Sequence, residues 1–139
     1  MTQETILRVV TKVLVPYILL FAFYVQFHGD YGPGGGFQAG VIFAAGLVLY
    51  SLVFGLAQAK RVAPAAFMER LAAVGVLIYG LTGVACLFAG GKFLDYGAFT
   101  PHHPHHGQEL GIFLVELGVG IGVASVMVVI FVTFAGRRR

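Results

Sequence analysis

The stretch His28-Gly29-Asp30-Tyr31-Gly32-Pro33-Gly34-Gly35-Gly36-Phe37-Gln38-Ala39-Gly40 decides how this chain is read. It joins two long apolar runs, Ile6 to Phe27 before it and Phe37 to Ala59 after it. Glycine reaches positive φ at little cost and lets backbones approach closely. Proline fixes φ and is tolerated in a first helical turn. Between two apolar runs, such residues make a tight, shaped return into a bilayer. The unpaired N–H groups at the start of the second run form a weakly positive pole.

Two further apolar runs follow, Leu71 to Gly90 and Leu110 to Ala135. All are long enough to span a membrane, for which a helix needs roughly 17–25 residues. Of the 139 residues, 58% are hydrophobic and 11% are charged. A soluble domain carries about 45–50% and about 25%, so too few charges are present to coat a water-facing globule. That excludes an ordinary cytosolic enzyme, a disordered tail and a nucleic-acid-binding module. Backbone polar groups in lipid must be satisfied within their own segment, so the runs predict helices. No stretch alternates in and out as a barrel strand would. The expected fold is an all-α integral membrane protein. It is a four-transmembrane-helix bundle in a single domain, 1–139, with spans near 6–27, 37–59, 71–90 and 110–135. A cleaved signal peptide fits the first run poorly, because the run is long and no small-x-small site follows it. The single cysteine, Cys86, lies in the third run and reads as a small buried hydrophobe.

The basic residues orient the spans. Arg8, Lys12, Lys60, Arg61, Arg70, Arg137, Arg138 and Arg139 fall on one side, and only Lys92 falls on the other. The positive-inside rule places both termini and the middle loop in the cytoplasm. The net charge of +3 is then a topology signal, and its scatter over three segments argues against a nucleic-acid patch. His28, His102, His103, His105 and His106 all fall on the opposite, external side.

The polar residues of the spans are few. Glu116 lies two turns beyond Glu109 on the same helix face. A carboxylate there must be paired, protonated or wetted, and must face protein or water. It is either a step in a proton or cation path or an inter-subunit bond that fixes packing. Lys12 can snorkel to the cytoplasmic surface. His28 and Asp30, beside the glycine-rich link, could relay protons or could sit in a solvated loop. The link itself reads either as a tight turn with close helix packing or as irregular backbone lining a polar cavity. Gly34-x-Gly36-x-x-Ala39 formally fits a dinucleotide fingerprint, but no strand precedes it. The tract His102-His103-Pro104-His105-His106 has metal-binding residue types, yet a loop titrating near neutral pH fits it better. Gly36-x-x-x-Gly40, Gly118-x-x-x-Gly122, Gly75, Gly80 and Gly83 are placed to let helices touch. No nucleophile–base set, paired-carboxylate site or phosphate-binding loop is present, so no enzyme chemistry and no cofactor are expected.

The block from His28 through Pro33-Gly34-Gly35-Gly36-Phe37 to Gly40, joining the first two of four spans, resembles the B subunit of multisubunit Mrp/Mnh-type Na+/H+ antiporters. The resemblance extends to the length, the four-span layout and the glycine-rich last span. A related domain ends the large A subunit and occurs in membrane arms of some hydrogenases. The resemblance implies a small subunit of a hetero-oligomeric antiporter in a prokaryotic plasma membrane. Its partners would be large A- and D-type and small C-, E-, F- and G-type subunits, with Na+ and H+ as transported ions. On that reading Glu116, His28, Asp30, Pro33, Gly34, Gly35, Gly36, Phe37 and Glu109 are the ion-path or interface candidates. A purely structural scaffold, and a pH or metal sensor working through His102, His103, His105 and His106, are the alternatives.

Overall fold

The computed structural model describes residues 3–29 and 34–137. Among these residues five α-helices form: α1 Gln3–His28, α2 Gly36–Phe54, α3 Leu56–Val62, α4 Ala65–Phe88 and α5 Pro104–Ala135, with a 3₁₀ turn at Tyr96–Phe99. Four of them, all but α3, are long and apolar enough to cross a membrane. No strand occurs among the described residues.

The helix ends depart most from the apolar runs in three places, each for a local reason. The second run, expected to continue to Ala59, stops at Phe54. Gly55 takes φ 91° there, and its N–H donates to the Ser51 carbonyl at 2.9 Å. Glycine accepts that left-handed backbone without strain, and the chain restarts as the short α3. The third long helix, α4, starts at Ala65 rather than Leu71, because Pro64 precedes its first turn. It therefore carries Glu69 and Arg70. The fourth starts at Pro104, not Leu110, again with proline at the first position. At 32 residues it is about 48 Å long. That exceeds a hydrocarbon core of about 30 Å.

The main contacts run α1 to α2, α2 to α5 and α5 to α4, so α5 is an inner helix of an open row. Both of its seams are built on glycine. A Cβ added to Gly75 of α4 would lie 2.6 Å from the Gly118 carbonyl oxygen, and one on Gly40 of α2 would lie 2.7 Å from that of Gly120. These backbones are in contact, as small-residue helix seams in lipid require. Gly80 differs from the expectation of a packing glycine, since a Cβ there would meet nothing within 4 Å. The α4–α5 connection is pinned by rings. Phe93 fills the notch over Gly83, and Tyr96 fills the one over Gly111. Burial, followed by the neighbouring Tyr79 and Cys86, pushes the Tyr96 phenol above its ordinary value, so it stays neutral.

Cys86 is fully buried, as expected of a small hydrophobe. The buried hydroxyls of Thr82 and Ser125 each donate to the carbonyl four residues earlier at 2.7 Å. Lys12 sets its Nζ 5.9 Å from the ring centre of Phe54, the last residue of α2, a cation–π contact at the helix end. Most large apolar side chains of α1 are exposed, among them Leu7, Leu14, Leu20 and Phe27. Such a surface belongs against lipid or neighbouring subunits rather than water.

Gly75→Leu should separate α4 from α5, at a cost of about 1–3 kcal/mol for overpacking. Gly80→Leu should be close to neutral. Thermal unfolding of the purified protein in detergent checks the pair. Equal losses would show that the Gly75 contact is not a stabilising seam.

Candidate functional site

The glycine-rich link and Glu116 meet. Glu116 is half-buried, twelve residues into α5, and its carboxylate lies over the end of α1 and the start of α2. A Cβ built on Gly29 would stand 2.8 Å from Glu116 Oε2, and one on Gly35 would stand 3.1 Å from Oε1. A Cβ on Gly36 would collide with the Glu116 backbone carbonyl. Gly29 and Gly35 thus make the space that the carboxylate occupies, and Gly36 lets the two backbones touch.

The link is held by its own backbone. The Gly35 N–H donates to the Val25 carbonyl at 3.3 Å, tying the start of α2 to the last turns of α1. Gly34 sits over that same carbonyl, where a Cβ would come within 2.9 Å of the oxygen. Gly35 caps α2 with φ 119° and ψ 172°, a conformation open to glycine and strained for other residues. The first N–H groups of α2, which have no intrahelical acceptor, therefore start beside the carboxylate. The positive end of the helix dipole favours negative charge there.

The other candidates are placed as follows. His28, half-buried, stacks its ring on Tyr24 with centroids 5.1 Å apart. Phe37 is exposed and borders a groove between α4 and α5. Asp30 and Pro33 lie outside the described residues. Glu109 is not part of the cluster. It faces outward, with its Oε2 3.5 Å from His106 Nδ1. The His tract straddles the start of α5 and is exposed, with the rings of His103 and His106 edge to face at 6.0 Å. Among the described residues, no group of three His, Cys, Asp or Glu side chains converges as a metal set.

Two residues of the site escape sequence reasoning. Gly29 was part of the quoted stretch without a role of its own. Gln26 is 7% exposed, and its Oε1 stands against Gly120, where an added Cβ would collide with it. The available signal was spacing, since Gln26 and Gly29 share one face of α1, as Glu116 and Gly120 share one face of α5.

A family described as a domain related to the MnhB subunit of Na+/H+ antiporters matches residues 6–129. A protein of Staphylococcus haemolyticus (strain JCSC1435), named "Putative antiporter subunit mnhB2", is 36% identical over 138 residues, covering 98% of this chain and 97% of that protein. The protein of the same name from Staphylococcus aureus (strain Newman) is 35% identical with the same coverage. With its glycine-rich link, its spanning helices and a family match over nearly its whole length, the chain belongs to the MnhB family.

Proposed function

We propose that this chain is a small membrane subunit of a multisubunit Na+/H+ antiporter. In it, the glycine-rich link and Glu116 border a subunit interface on the external side and shape the cation route. The observation that carries the reading is the Glu116 carboxylate lying over Gly29 and Gly35. A carboxylate at membrane depth is expensive unless it faces polar groups. Irregular backbone at that depth belongs against protein or water. The two features occur here at one place, as in transporters whose interrupted helices mark ion sites. The partners are other antiporter subunits of the large A and D types and the small C, E, F and G types. The setting is a prokaryotic plasma membrane. A transporter subunit of this kind needs no catalytic constellation.

The test is cation-dependent ΔpH dissipation in everted vesicles carrying the complete complex, with assembly followed on native gels. Glu116→Gln should lower exchange about tenfold or more, the effect of losing roughly 1.4 kcal/mol of stabilisation on the route. Gly35→Ala strains the backbone by about 1–3 kcal/mol, sets a methyl group against the carboxylate and should act in the same direction. Both complexes should assemble. Normal exchange with Glu116→Gln over a range of pH would remove the carboxylate from the route. Loss only together with the complex would make the chain a scaffold.

The charge distribution supports cytoplasmic termini. With Cys86→Ala as background, His103→Cys should react with an impermeant maleimide added to intact cells. Lys60→Cys should react only in everted vesicles. The reverse pattern would invert the topology and move the Glu116 site to the cytoplasmic half.

A further inference from the structure

Gln26 lies two residues before the end of α1 and is 7% exposed. Its Nε2 has no hydrogen-bond partner among the described residues. A buried donor left unpaired carries its full desolvation penalty. Its carbonyl side is set against Gly120, one turn inward from Glu116 on α5. Gly29, the residue that follows α1, lies three residues further on and borders the Glu116 carboxylate. The amide and the carboxylate therefore stand on adjacent rungs of one α1–α5 seam, about 5 Å apart along the axis. On the inward side, Gln26 borders a cavity of about 230 Å³ that passes Ser125 and reaches Met68 and Leu71 at the start of α4. From the glycine-rich link inward, the order is carboxylate, amide, cavity.

We propose that Gln26 is a positioning residue for Glu116, whose ionised carboxylate turns one rung inward and accepts a hydrogen bond from the Gln26 Nε2–H. The proposal rests on the reading of Glu116 as part of the cation route. It gives the carboxylate two resting places, the glycine-lined one in the structure and an inner one at the amide. The absent side chain of Gly120 makes the room that the Gln26 amide occupies, one turn from Glu116. Other titratable groups surround the seam. They are His28 on α1, Tyr79 on α4 beside Gly118, Tyr96 against Gly111 of α5, and Glu109 further out on α5. The first three turns of α2 contribute none. Asp30 and Tyr31 adjoin the link outside the described residues. A change at Gln26 alters none of these groups, so its effect on a pH profile reports the amide.

The experiment measures the pH dependence of Na+-driven ΔpH dissipation in everted vesicles with the complete complex. Gln26→Met keeps the length and shape of the side chain and removes the donor. A donor to the charged form favours ionisation, and removing it disfavours ionisation. The half-maximal pH of exchange should therefore rise by about one unit, with maximal exchange at alkaline pH retained. Gln26→Asn, which keeps an amide, should recover part of the shift. In a Glu116→Gln background, Gln26→Met should produce no further shift. An unshifted profile for Gln26→Met, in a complex where Glu116→Gln is impaired, would overturn the proposal and leave Gln26 a packing residue. Should Gln26→Met not assemble, Gln26→Leu and Gln26→Asn provide the same comparison. Normal exchange with Glu116→Gln would instead bring down the parent reading, and this proposal with it.

Discussion

The contact of Gly36 with the backbone of Glu116 is the constraint on which the rest of the arrangement hangs. Lipid tails are as apolar as leucine, so helices in a bilayer gain little from hiding apolar side chains from lipid. They gain from close packing, and closeness is limited by Cβ atoms. Where α2 begins, that limit is absent, and its first turn rests on α5. Gly40 continues the contact against Gly120 one turn on. On α5, Gly118 and Gly120 are two residues and about 200° apart, which puts them on opposite faces. Gly118 receives Gly75 of α4, and Gly120 receives α2 and Gln26 of α1. The inner position of α5 follows from that alternation.

The same contact decides where the carboxylate goes. Side chains on a helix lean toward its N-terminus, so Glu116 leans toward the glycine-rich link. Any side chain at Gly29 or Gly35 would displace it. The result is a carboxyl group set against peptide backbone and the start of a helix. Glu109, on the same face two turns outward, meets the opposite condition. It is exposed and stands beside His106, where an ion pair adds little. Two glutamates of one helix thus differ in surroundings, one half-buried over the glycine-rich link and the other exposed beside His106.

Much of the fold was legible, because a spanning helix announces itself by the length of its apolar run. The ends were not, because an apolar run marks the part that lipid covers and not the part that is hydrogen-bonded. Pro64 and Pro104 start helices several residues before the apolar runs do, and Gly55 ends one several residues early. Glu116 and the glycines were each visible as unusual residues. Their meeting was not, since it depends on the register of α5 against α2, and that register is set by which small residues face each other. Gln26 was hidden for a plainer reason. One amide near the end of an apolar run reads as a boundary residue until its burial is known.

The polar seam is also short. Inward of Gln26 the cavity is walled by Ala22, Phe23, Phe43, Leu47 and Leu71, and Ser125 there already donates its hydroxyl to the Ile121 carbonyl. A dehydrated cation on this wall would have almost no oxygen ligands. Moving one charge across 100 mV involves about 2.3 kcal/mol, which requires a polar path without such a gap. This chain sets an apolar wall beside its polar seam. On the proposed reading, a complete route needs groups from outside it. The open row of helices, with α1 and one side of the α4–α5 pair uncovered, leaves the faces on which other subunits could supply them.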